Sequence, residues 1–121
     1  MFELMVEDSF SAAHQLRDYK GPCEKLHGHT WKVMVFVSGD SLDSQGLGVD
    51  FRVIKQKLKE LLEDFDHGTL NDLEYFKKVN PTSENLAKLM FQRLKGEFSG
   101  TFKLSRVTVY ESEDASAAYY E

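Results

Sequence analysis

"HTWKVMVFVSG", residues 29–39, places Trp31, Val33, Val35 and Val37 on one side and Lys32, Met34 and Phe36 on the other. Successive side chains of an extended chain point to opposite faces, so this period of two predicts a strand with one face against a core. Upstream, "RDYKGPC", 17–23, reads as loop, because Gly21-Pro22 continues neither a ladder nor a helix. Further back, "FELMVEDSF", 2–10, mixes apolar and acidic positions in a strand-like way and predicts a first strand. Downstream, "GDSLDSQGLG", 39–48, is a turn region. Residues 50–68, "DFRVIKQKLKELLEDFDHG", show helical spacing. Phe51, Ile54, Leu58, Leu61, Leu62 and Phe65 form the apolar stripe, Asp50 the N-cap and Gly68 the stop. A second helix begins in "NPTSENLAKLMFQRLKG", 80–96, capped by Thr82 or Ser83, with Leu86, Leu89, Met90 and Leu94 inward and Gly96 at its end. Residues 102–112 alternate again, and "SAAYYE" reads as a short last strand. The order β-β-α-α-β-β predicts an α+β domain built on antiparallel hairpins.

The chain has 121 residues, so the expectation is a single domain over 1–121. A net charge of −5 with no long basic run speaks against a nucleic-acid partner. The single cysteine forms no internal disulfide, and "MFELMVEDSF" lacks the basic region of a signal peptide. The longest apolar run, "VMVFV", is too short for a membrane span. A cytoplasmic location is expected, with no membrane partner. No internal repeat or low-complexity segment interrupts the domain.

"CEKLHGHTW", 23–31, gathers the only cysteine, the only tryptophan and two of the four histidines. His27 and His29 point to the same side of an extended chain, with Gly28 leaving the space between them open. His14 ends the first strand-like segment and comes alongside if the two strands pair. Three imidazoles and one open position make a catalytic zinc pattern. Cys23 is either a fourth ligand, which closes the site, or a thiolate base beside it, favoured by Lys25. In "FDHGTLND", 65–72, Asp66 can orient His67 and stabilise its protonated form. Taken alone, His67 reads as a helix-end histidine facing the helix dipole. Glu111, in "VTVYESEDAS", can accept two hydrogen bonds from an amidine-like ring edge. Taken alone, it is a solvated acid at a strand end.

Together, "FSAAHQL", "CEKLHGHTWKV", "LGVDF", "FDHGTLND", "NPTSENLA" and "VTVYES" resemble the 6-pyruvoyl-tetrahydropterin synthase family. The likeness is greatest to its small bacterial branch, the 6-carboxy-5,6,7,8-tetrahydropterin synthases of queuosine (7-deazapurine) biosynthesis. It runs in order through nearly the whole chain. It implies a T-fold: a four-stranded antiparallel sheet with two helices on one face, assembled through its sheets into a homo-oligomer, commonly a hexamer. It implies Zn2+ held by His14, His27 and His29. Cys23 matches the catalytic cysteine, and Asp66 with His67 the catalytic pair. Glu111 matches the pterin anchor, and Thr82, Ser83 and Glu84 a segment lining the pterin pocket. Arg17, Lys20 and Lys25 are candidates for gripping a triphosphate by their proximity in sequence. The implied reaction is a lyase step on 7,8-dihydroneopterin triphosphate, releasing triphosphate and acetaldehyde and leaving a 6-carboxy group. Pyruvoyl-tetrahydropterin synthesis, or pterin binding without catalysis, is the alternative. Glu24, next to Cys23, matches a position where some relatives carry a glutamate for aldol cleavage of dihydroneopterin.

Overall fold

The computed structural model describes residues 1–21 and 25–121. Strand β1, Phe2–His14, pairs antiparallel with β2, His27–Gly39, along their whole length, from Phe2 opposite Gly39 to His14 opposite His27. The first strand thus runs past residue 10 to the histidine. Helix α1, Phe51–Leu62, follows. Helix α2, Ser83–Leu94, leads into β4, Lys103–Ser112, and β5, Ala115–Tyr119. Between the helices lie a two-residue strand, β3, Gly68–Thr69, and two short 3₁₀ turns, Leu70–Asp72 and Glu74–Lys77.

The sheet order is β3-β1-β2-β4-β5. The four long strands are antiparallel, as expected. The fifth, β3, is an addition to the four expected strands, and it pairs parallel to β1 through Ala12–Gly68 and Ala13–Thr69. Its cause is local. The His67 N–H donates to the Ser11 carbonyl at 2.6 Å, and the Ser11 N–H donates to Asp66 Oδ1 at 2.9 Å. These bonds lay the chain against the free edge of β1. Gly68 is therefore a strand residue and not the helix stop. The chain leaves α1 at Leu62 through tightening turns, and His67 itself takes the left-handed conformation at φ 59°.

Both helices cover one face of the sheet. Val6 and Phe10 of β1, Trp31, Val33, Val35 and Val37 of β2, and Val107 and Val109 of β4 pack against Ile54, Leu58, Leu86, Met90 and Leu94. Full burial of each such side chain contributes about 1.5–3 kcal/mol. Asp50 caps α1 by accepting from the Arg52 N–H, and Thr82 caps α2 by accepting from the Asn85 N–H. Phe51, assigned to the α1 stripe, is instead half exposed, because it sits at the first turn beyond the reach of the sheet. Gly39 and Gly48 flank the Phe102 ring. A Cβ at either would fall 2.5 or 2.3 Å from it, so the 39–48 turn needs both glycines to close over that ring. The uncovered face carries Met5, Lys32 over the Tyr110 ring and Arg106 over the Phe36 ring.

Candidate metal centre

The inward rows of three strands continue past the apolar core into polar groups. Beyond Phe10 and Ala12 the β1 row reaches His14. Back from Trp31 the β2 row reaches His29 and His27, and beyond Val109 the β4 row reaches Glu111. The period of two that buries the core also turns these four side chains to one side. Strand pairing sets His14 opposite His27. Trp31 closes the core beneath them, edge-on to His14 at 4.8 Å and to His29 at 5.4 Å between ring centroids. Its indole N–H donates to the Ala12 carbonyl at 3.2 Å.

Hydrogen bonds fix the tautomers of two rings. His14 Nδ1 lies 2.7 Å from the Pro81 carbonyl oxygen and His27 Nδ1 lies 2.6 Å from that of Lys25. A carbonyl only accepts, so each Nδ1 carries the proton and each Nε2 is left with a lone pair. These two Nε2 atoms face each other at 3.1 Å. Burial pushes the His14 imidazole below its ordinary value of 6.5, against the opposing pull of the Pro81 carbonyl and Glu111, so a shared proton is a poor answer to that repulsion. His29 is lowered for the same reason, burial again outweighing the nearby Glu111 carboxylate. Its Nε2 is buried and 3.2 Å from Glu111 Oε1, yet the two are not aligned for a hydrogen bond. One donor atom from each of His14, His27, His29 and Glu111 falls within 4.8 Å of the others.

This donor set fits a divalent metal. Zinc bonds of about 2.0–2.1 Å give tetrahedral edges of about 3.3 Å, close to both short spacings. An Nδ1–H given to a backbone carbonyl is the usual way a metal-bound imidazole is held.

Asp66 and His67 are joined, Oδ2 to Nδ1, at 2.9 Å. The Ser11 N–H, and after it His67, hold the Asp66 carboxyl below its usual range. Neither residue belongs to the four-donor cluster. His67 is mostly exposed, and it borders a shallow depression that also reaches His29 from the edge of β1. Ser83, Glu84 and Glu111 line one cleft of about 280 Å³ between the start of α2 and the β4–β5 hairpin. Thr82 is engaged in the helix cap. Cys23 and Glu24 lie outside the described residues.

Two asparagines escape a reading by pattern. Asn71 bonds both backbone groups of Gln15, and Asn80 both of Arg17, all at 2.9 Å, standing in for a neighbouring strand. Arg17 also donates its guanidinium to the carbonyls of Phe76 and Val79. It thus ties down the 76–80 segment. These clamps place the Pro81 carbonyl over His14. Of the Lys25 groups, the carbonyl serves the cluster, through His27.

The 6-pyruvoyl tetrahydropterin synthase family pattern matches residues 3–121. A Synechocystis protein named 6-carboxy-5,6,7,8-tetrahydropterin synthase is 37% identical over 125 residues, covering 99% of this chain and 94% of that one. A Pyrococcus furiosus protein named dihydroneopterin monophosphate aldolase is 32% identical, covering 92% and 90%. The solved structure of the Caenorhabditis elegans 6-pyruvoyl tetrahydropterin synthase superposes with a TM-score of 0.88 at 31% identity, covering 99% of this chain and 95% of that one. With the T-fold and nearly every residue matched, the chain belongs to the 6-pyruvoyl tetrahydropterin synthase family.

Proposed function

We propose that the protein is a zinc-dependent lyase that converts 7,8-dihydroneopterin triphosphate and water to 6-carboxy-5,6,7,8-tetrahydropterin, acetaldehyde and triphosphate. The observation that carries this reading is the pair of Nε2 atoms facing each other at 3.1 Å, with a third, part-buried imidazole and a carboxylate beside them. The name of the Synechocystis relative supports the carboxy product. We place the step in queuosine biosynthesis and in the cytoplasm; among the described residues no helix is long and apolar enough to cross a membrane.

His14, His27 and His29 would hold the zinc, which as a Lewis acid lowers the cost of charge on the substrate's side-chain oxygens. Glu111 receives the pterin edge in the cleft it shares with Ser83 and Glu84. A carboxylate accepts the ring N–H and the exocyclic amino group together, and charge-assisted pairs of this kind are the stronger ones. Cys23 takes a proton from the side chain as thiolate, an assignment that rests on the family match. His67, held by Asp66, carries a proton on the other side. The exposure of His67 and its place outside the cluster suit a site completed by a second chain, in a homo-oligomer taken here as a hexamer.

A second reading has one sequence observation behind it. Glu24 adjoins Cys23, and the Pyrococcus relative is named an aldolase. Incubation with 7,8-dihydroneopterin triphosphate and, in a parallel reaction, with dihydroneopterin, followed by mass spectrometry, separates the possibilities. The expected products are the 6-carboxy pterin and acetaldehyde. A pyruvoyl pterin with no carbon fragment released, or a hydroxymethyl pterin from dihydroneopterin, would assign the chain to the other activities of its family.

A further inference from the structure

His67 combines two features that place a demand on the rest of the chain. Its backbone takes the left-handed conformation at φ 59°, which a residue with a Cβ adopts only at a cost. Its side chain is 82% exposed, so packing within the chain does little to hold the ring, and the imidazole stands where the backbone puts it. A run of bonds to β1 fixes that backbone. The His67 N–H donates to the Ser11 carbonyl at 2.6 Å, and Gly68 and Thr69 pair with Ala12 and Ala13. The run ends at Asn71, whose Oδ1 accepts from the Gln15 N–H and whose Nδ2 donates to the Gln15 carbonyl, both at 2.9 Å. We propose that Asn71 is a positioning residue: by closing this run it keeps His67 left-handed and sets where the Asp66–His67 pair stands.

A strained residue persists only where its surroundings over-determine it. Strand β3 is two residues long, shorter than strands usually are, and Gly68 beside His67 resists no change of direction. Leu70, buried in the core, anchors the segment by its side chain but specifies no hydrogen-bond register. The Asn71 amide does, because its one acceptor and its donor must meet the N–H and the carbonyl of the same residue. Upstream, Asp66 accepts from the Ser11 N–H through Oδ1 and holds His67 Nδ1 through Oδ2. The pair is thus tethered to Ser11 on one side and, through Asn71, to Gln15 on the other. His14 has separate support, from the Pro81 carbonyl next to the Asn80 clamp on Arg17. Loss of Asn71 should therefore move the Asp66–His67 pair and spare the imidazole cluster. The proposal rests on the reading of His67 as a proton carrier, but the placing of the segment can be measured without turnover, so the two fail separately.

The test is Asn71→Ala in the full chain. Asn71→Asp, which keeps the acceptor and loses the donor, takes its place if the alanine variant fails to fold. Hydrogen–deuterium exchange, read by mass spectrometry, should quicken roughly 10–100-fold over residues 66–71 and stay parental over residues 31–37 of β2. Metal content and KM for 7,8-dihydroneopterin triphosphate should match the parent, while kcat falls about 100-fold, as for a reacting group displaced by about 1 Å. Parental exchange over residues 66–71 would overturn the proposal, and so would a parental kcat beside faster exchange. Exchange that quickens equally over residues 31–37, together with loss of metal, would reduce Asn71 to a general structural clamp and overturn it as well. If the parent itself turns over no pterin triphosphate, the lyase reading falls, and exchange alone decides whether Asn71 holds His67 in place.

Discussion

At the scale of single residues, the cluster depends on protons being in the right places. His14 and His27 each give their Nδ1–H to a backbone carbonyl, which leaves only Nε2 for a ligand. Replacing His27 by alanine should therefore strip most of the metal while leaving the sheet intact, since His27 is only partly buried at the start of β2. Elemental analysis of purified His27→Ala protein checks this, and full occupancy would remove His27 from the ligand set. Acid should act in the same direction. Burial lowers the His14 imidazole below 6.5 in the folded chain, so the unfolded chain takes up the proton first as pH falls. For metal-free protein, the stability linked to His14 is present in full above about pH 6.5 and is lost as the pH drops through the lowered folded value. Urea midpoints measured from pH 8 down to 5 should fall, and the fall should be shallower in His14→Gln. The clustering of the three histidines was legible because strand spacing and pairing alone bring them together. The carbonyls that orient them were not, since a backbone acceptor leaves no mark on residue type.

Elements with strong periodicity were legible, and those without it were not. The alternation through Trp31–Val37 and the stripe through Ile54, Leu58 and Leu61 are repeated solutions to burying one face, and each repeat adds signal. Strand β3 is two residues long and shows no period. It exists because Ser11 and Asp66 hydrogen-bond across 55 positions of sequence. The asparagine clamps are of the same kind. Asn80 satisfies both backbone groups of Arg17 and sits one residue before the carbonyl that holds His14. Asn80→Ala should leave those part-buried groups unpaired at about 1–3 kcal/mol each. Urea unfolding should show the loss as a lower midpoint with an unchanged slope. Metal affinity should fall with it, although Asn80 touches no ligand. A stable Asn80→Ala protein with parental metal affinity would make the clamp dispensable.

For the whole molecule, one chain supplies the His14, His27, His29 and Glu111 cluster and an Asp66–His67 pair at different places. The uncovered sheet face, with Met5 exposed, and the outer strand β5 both offer surface to further copies. If the pair of one chain serves the cluster of another, two inactive variants should rescue each other. His27→Ala and His67→Asn, the latter chosen because asparagine tolerates the left-handed backbone there, should regain about a quarter of parental activity when refolded together in equal amounts. No recovery in a mixed assembly would place the whole site within one chain. The central claim is that a zinc ion held by His14, His27 and His29 makes this chain a pterin triphosphate lyase. Its most direct test is acetaldehyde release from 7,8-dihydroneopterin triphosphate, measured on one preparation as purified, after chelation and after zinc is returned, with metal counted by elemental analysis each time. The account predicts one zinc per chain, release abolished by chelation and restored with the metal. Release at the original rate from metal-free protein, or none from protein carrying one zinc per chain, would contradict it.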